Sequence, residues 1–189
     1  MLAVGQLREK KGFVHLLHAC RQLADRGMPF RCEIIGEGPQ RADLERAVQD
    51  LGLEQHVAFL GAQTHEEVID AYRRAWLFVL PCVVGDDGDR DGIPNVILEA
   101  MAMGLPVVST RHSGIPEVVE HEVTGLLVPP ADATGLAEAL AQVLEDRHAA
   151  DRMGAQGRTV VIDRFDVEHN VRVLWDRFNG ERAATGTLR

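Results

Sequence analysis

No segment of this 189-residue chain reaches the ~18 consecutive apolar residues that a membrane-spanning helix requires. No charged-then-apolar leader opens it either. The expected location is the cytoplasm, with peripheral attachment at the inner face of the membrane left open for a full-length protein. Lys/Arg runs and basic helices are also missing, and the formal charge is -9, which argues against a nucleic-acid surface. No DNA or RNA partner is expected. The three cysteines, Cys20, Cys32 and Cys82, have no metal-ligand spacing and do not form an even set. They are expected to be buried, reduced thiols. The eight histidines contain no H-x-x-x-H pair, so no metal site is proposed. No G-x-G-x-x-G follows a strand and no G-x-x-x-x-G-K-[ST] occurs, which removes the nicotinamide and P-loop readings.

What is present describes a globular domain, with hydrophobic residues at 46% and charged residues at 26%. The length suits one domain with a substantial core. Strand-like runs begin at residues 2, 31, 57, 76, 106 and 125. Helical periodicity separates them: Phe13, Leu16, Leu17, Cys20 and Leu23 in the first interval, and a capping-box pair, Thr64 and Glu67, opening the third. The run 76–80 is fully apolar, as a central parallel strand should be. Further helices are expected from Asp132, over 149–162 and over 166–178, with a disordered tail over 181–189 after a domain spanning 1–180. The alternation indicates an α/β fold, a doubly wound parallel sheet of about six strands with flanking helices.

One stretch organises the functional reading: Asp91-Gly-Ile-Pro-Asn-Val-Ile-Leu-Glu99. From residue 94 to 103 the residues are apolar on nearly every face, apart from Asn95 and Glu99, which predicts a buried helix beginning at Pro94. Glu99 would then lie about 7.5 Å along the axis, with Asp91 just outside the mouth. Free amides and the positive end of the dipole suit a phosphate there, and carboxylates suit sugar hydroxyls. Plainer readings stand beside this one. Asp91 could be an ordinary residue of the acidic loop 85–92, and Glu99 a member of a structural ion pair.

Ligands of doubly wound sheets bind outside the carboxyl ends of the strands. That edge would gather Lys11, Gly36, Gly38, residues 91–95, Glu99 and the Ser113-Gly114 turn. Lys11, with Arg8 and Lys10 nearby, carries the flexible positive charge that a diphosphate needs; its plain reading is a solvated loop lysine. Gly36 and Gly38 could admit a ligand close to the backbone, or could simply make the turn. His112 reads as a surface loop histidine rather than a base.

Six motifs in order carry a resemblance: Val4-Gly-Gln-Leu-Arg-Glu-Lys-Lys-Gly12, Gly36-Glu-Gly-Pro39, the 91–99 stretch, Gly104-Leu-Pro-Val-Val108, Gly114-Ile-Pro-Glu117 and Thr124-Gly-Leu-Leu-Val-Pro129. Over residues 3–178 the chain resembles the C-terminal half of a retaining, family 4 (group 1) glycosyltransferase of GT-B architecture. The resemblance implies a Rossmann-like domain that binds a nucleotide-diphospho-sugar donor, UDP- or GDP-linked, with no metal or other cofactor. It places Lys11 on the diphosphate and Glu99 on the ribose hydroxyls. Asp91 falls near the transferred sugar, and the backbone of Gly92, Ile93 and Asn95 faces sugar and phosphate. Two positions depart from the family pattern. Asp91 stands where Glu is usual, and Gln6 stands where Arg is common, which shifts charge neutralisation to Arg8 or Lys11. The resemblance further implies that the acceptor, a glycan or lipid-linked glycan, binds an N-terminal domain absent from this chain. The isolated chain is then expected to bind donor and transfer sugar poorly. A non-catalytic nucleotide-sugar-binding or regulatory module is the alternative; an epimerase or phosphorylase fits the motifs less well.

Overall fold

The computed structural model describes residues 1–86, 88–166, 171, 172 and 175. Among these residues, six parallel strands form one sheet: β1 (Leu2–Val4), β2 (Cys32–Ile35), β3 (Val57–Gly61), β4 (Phe78–Leu80), β5 (Val107–Thr110) and β6 (Gly125–Val128). Their order is β3-β2-β1-β4-β5-β6. This is the doubly wound arrangement expected from the alternation of elements. The chain starts at the centre, builds outward through β2 and β3, then returns to place β4 beside β1 through Leu2↔Phe78. The order therefore reverses between β1 and β4.

Among the described residues, seven α-helices connect and flank the strands: α1 (Phe13–Asp25), α2 (Arg41–Asp50), α3 (His65–Arg74), α4 (Asn95–Ala102), α5 (Ile115–Val118), α6 (Ala133–Glu145) and α7 (Arg147–Phe165). Each long helix is specified locally. In α1 the buried positions Phe13, Leu16, Leu17, Cys20 and Leu23 repeat at helical spacing. Thr64 and Glu67 close the anticipated capping box on α3, with the Thr64 amide 2.8 Å from Glu67 Oε2. Asp132 caps α6 through the Gly135 amide at 2.8 Å, and Asp146 caps α7 through Ala149 at 2.9 Å. One residue thus ends α6 and starts α7.

Helix α1 packs with α2 and α6 on one face of the sheet; α3, α4 and α7 cover the other. Both faces being covered, β4 is buried at all three positions. The strand is shorter than the apolar run 76–80, because Trp76 lies outside it, 40% exposed, with the Arg147 guanidinium 4.5 Å from its ring centroid. The three cysteines are buried and unpaired. The helix expected over 166–178 falls mainly, and the tail 181–189 wholly, outside the described residues. Among the described residues no helix is long and apolar enough to cross a membrane.

Close packing at one glycine shows how α7 is seated. A Cβ on Gly154 would overlap the Gly104 carbonyl in the turn between α4 and β5. Alanine gains about 1 kcal/mol of helix propensity over glycine, whereas overpacking costs about 1–3 kcal/mol. Overlap with rigid backbone should win, so Gly154→Ala is expected to destabilise the chain by about 1–2 kcal/mol in urea denaturation. An unchanged or raised midpoint would mean that α7 does not press on this turn.

Candidate functional site

The reversal between β1 and β4 opens a crevice at the carboxyl edge of the sheet, since α1 leaves β1 toward one face and α4 follows β4 on the other. The two departing loops are joined along this crevice by backbone. Gly12, at φ 68, ends the short 3-10 turn Glu9–Lys11. A Cβ there would collide with the Pro81 carbonyl, so the left-handed conformation and the close approach both demand glycine. The Val83 amide donates to the Lys10 carbonyl at 2.9 Å. Hydroxyls on β5 fasten the second loop from beneath: Ser109 Oγ donates to the Leu80 carbonyl at 2.6 Å, and Thr110 Oγ1 to Cys82 at 2.5 Å.

Charged side chains cross the same seam. Lys11 Nζ is 2.8 Å from Asp91 Oδ2, and their side chains are only 11% and 18% exposed. Lys10 Nζ lies 3.4 Å from Asp91 Oδ1 and 3.0 Å from Asp89 Oδ2. The Asp86 amide donates to Glu9 Oε2 at 3.0 Å. Hydrogen bonding by Asp89, opposed by desolvation and helped by the charge of Asp91, holds the Lys10 ammonium above its ordinary pKa. Lys10 in turn lowers that of Asp89. Beneath Asp91, the Cys82 thiol is 4.0 Å from Oδ2. Burial first, and the nearby carboxylate, push its pKa up to about 12 against the opposing pull of Lys11. At neutral pH Cys82 is an unreactive thiol.

The structure brings most of the predicted residues to this edge. Gln6 and Arg8 are exposed and bonded to each other, Arg8 Nε donating to Gln6 Oε1 at 3.2 Å. Arg8, Glu9, Lys10, Pro39, Gln40, Gly85 and Asp89 line an open cleft of about 260 Å³. Gly36 and Gly38 are here for backbone contact. At Gly36 (φ 141) a Cβ would strike the Gly5 carbonyl, and at Gly38 it would meet the backbone of Leu7. The Leu7 amide donates to the Glu37 carbonyl and the Gln40 amide to the Leu7 carbonyl, at 2.9 and 3.0 Å. Close approach of neighbouring backbone requires glycine at both positions.

The helix after Asp91 differs from expectation in three respects. Pro94 precedes it in an extended conformation (ψ 123), so α4 starts at Asn95, with no side-chain cap. The helix is not buried on all sides: Ile97, Ala100 and Met101 form its inner face, while Val96 and Leu98 are half-buried. Glu99 is exposed rather than buried, because it falls on the side of α4 turned away from the sheet. It is nonetheless held. The phenol of Tyr72 on α3 lies 3.1 Å from Glu99 Oε2 and 3.2 Å from the Val96 carbonyl. Tyr72 is 2% exposed, and burial together with the Glu99 charge raises its pKa, which keeps the phenol a donor. Sequence reasoning missed this residue. The available signal was that the chain's one tyrosine recurs with Val68 and Ala71 on one face of a capped helix, where a buried hydroxyl must find a partner.

The loop after β5 completes the edge. The Gly114 amide donates to the Gly92 carbonyl at 3.3 Å, and a Cβ on Gly114 would press on Ile93. His112, expected at the surface, is buried at 8% exposure, with its Nε2 3.1 Å from Ser113 Oγ. Ser113, the next residue, has φ 48. Among the described residues no group of three or more His, Cys, Asp or Glu side chains is placed to hold a metal ion.

This geometry and sequence have counterparts in known proteins. Residues 1–160 match the family described as "Glycosyl transferases group 1". The amylovoran biosynthesis glycosyltransferase AmsK of Erwinia amylovora is 46% identical over 140 residues, covering 74% of this chain and 34% of AmsK. The GDP-mannose-dependent alpha-(1-6)-phosphatidylinositol monomannoside mannosyltransferase of Mycobacterium tuberculosis is 32% identical over 185 residues, covering 97% of this chain and 48% of its own length. The chain therefore spans about a third to a half of these curated relatives. Among solved structures, Anabaena Alr3699/HepE in complex with UDP superposes with a TM-score of 0.83 at 24% identity, over 95% of this chain and 48% of that one. That likeness shows the fold. Family match and sequence identity together establish that the chain belongs to the group 1 glycosyltransferases.

Proposed function

We propose that this chain is the donor-binding domain of a retaining glycosyltransferase that moves a sugar from a UDP- or GDP-sugar to a carbohydrate or lipid-linked acceptor. The observation that carries the reading is the pair of lysines set against two aspartates across the β1/β4 crevice, beside the uncapped start of α4. A partly shielded cationic pair next to a helix N-terminus suits a diphosphate. Lys11 would contact the diphosphate, with Arg8 at the rim and Gln6 contributing a neutral amide. Glu99, held on the second turn of α4, would take the ribose hydroxyls. Asp91 would face the transferred sugar, near the backbone of Gly92, Ile93 and Asn95. Charge developing on the leaving diphosphate would be met by Lys11 and the α4 dipole, with no metal ion called for.

The relatives support the wider setting. AmsK is named for amylovoran biosynthesis and the mycobacterial protein for GDP-mannose-dependent mannosyl transfer; HepE was solved with UDP. Bacterial polysaccharide or glycolipid synthesis is accordingly the pathway we infer. The acceptor would bind the part of a full-length enzyme that this chain does not span, and this chain alone would bind donor without efficient transfer.

Calorimetric titration with UDP, GDP and ADP in EDTA tests the reading. One nucleoside diphosphate should bind, and at about 100 times its dissociation constant should add roughly 2.7 kcal/mol of thermal stability. Glu99→Ala and Lys11→Ala should each weaken that binding about tenfold or more, as expected for losing a charge-assisted hydrogen bond. A folded chain that binds none of them sinks the proposal. Because Asp91 is paired with Lys11 and would compete with a diphosphate for it, Asp91→Asn should tighten nucleoside diphosphate binding by about two- to fivefold, the worth of such an ion pair. Unchanged or weaker binding by that variant would show that Lys11 does not meet the diphosphate.

A further inference from the structure

We infer that Tyr72 is a positioning residue for Glu99, fixing the carboxylate for the ribose of the nucleotide; this rests on the donor-site reading above and adds a residue to it. An exposed glutamate on a helix surface has three rotatable side-chain bonds and no reason to hold one orientation. Glu99 has a reason, because the buried phenol of Tyr72 reaches its Oε2 at 3.1 Å. The phenol itself cannot move: it is 2% exposed, and its ring contacts Phe78 of β4 with centroids 5.9 Å apart. A rigid donor thus grips one carboxylate oxygen. Oε1 is left to accept from a ligand hydroxyl.

The arrangement is asymmetric in a way that separates positioning from packing. The hydroxyl carries one proton and has a second acceptor 3.2 Å away in the Val96 carbonyl. Removing Glu99 therefore leaves the phenol satisfied, whereas removing the hydroxyl leaves Glu99 free to swing into solvent. Because α3 supplies Tyr72 and α4 supplies Glu99, the contact also sets the ribose-facing carboxylate against the helix that follows β3. Tyr72→Phe keeps the ring and its packing and deletes only the grip.

The test uses this chain, wild type and Tyr72→Phe, titrated with UDP and GDP and with their 2′,3′-dideoxy counterparts, which lack the hydroxyls that Glu99 would take. Wild type should prefer the ribonucleotide. Tyr72→Phe should weaken ribonucleotide binding roughly fivefold, leave dideoxynucleotide binding unchanged, and add no further loss in a Glu99→Gln background. Equal weakening toward both nucleotide types would assign Tyr72 a purely structural role and overturn the inference. So would unaltered ribonucleotide binding by Tyr72→Phe in a chain whose wild type does discriminate. A wild type that binds nucleotide without distinguishing ribose from dideoxyribose would overturn the Glu99 assignment and this inference with it.

Discussion

The seam between the loop after β1 and the loop after β4 is the constraint on which the rest of the structure depends. Parallel strands at a topological switch point send their following helices to opposite faces, and the gap between them must be bridged or left open to water. Here backbone bridges it. Gly12 lies against the Pro81 carbonyl, and the Val83 amide is bonded to Lys10. Seating the two loops this closely fixes where Lys10, Lys11 and Asp91 can be, and Ser109 and Thr110 of β5 hold the second loop from the core side. This edge is therefore built on strand ends and on loops fastened to them by hydrogen bonds.

Electrostatics at this edge run against the charge of the whole molecule. A chain of formal charge -9 repels anions at long range, yet the crevice collects two ammonium groups with side-chain exposures of 11% and 19%. Screening weakens the distant repulsion over a Debye length of about 8 Å at physiological salt, so the local lysines would dominate the field met by an anion at this crevice. Asp89 and Asp91 neutralise them, which removes the cost of burying uncompensated charge. An incoming diphosphate would exchange one set of partners for another.

The two carboxylates of the 91–99 stretch are restrained by different means. Asp91 is gripped by charge from the β1 loop, Glu99 by a neutral phenol from α3. The first contact is an ion pair, which a competing anion would weaken. The second is a hydrogen bond from a buried ring and persists. The carboxylate of Glu99 thus sits on an α4 whose inner face, Ile97, Ala100 and Met101, is buried in the core, while Asp91 lies on the loop before it.

The sequence by itself determined the sheet and helix alternation, the capping box at Thr64, and the gathering of Lys11, Asp91 and Gly114 at one edge. Those features follow from local periodicity, from short-range side-chain-to-backbone bonding and from the rule that parallel sheets bind at their carboxyl ends. Only the tertiary structure decided that Asp91 is paired with Lys11, that Gly36 and Gly38 lie against the backbone of Gly5 and Leu7, that His112 is buried and that Glu99 is exposed. An apolar run over 94–103 could not tell a helix covered on all sides from one covered on its inner face, because coverage depends on what packs against Val96 and Leu98. Tyr72 shows the same limit: its link to Glu99 spans 27 residues and two helices, and no local pattern records a contact that exists only after α3 and α4 pack side by side.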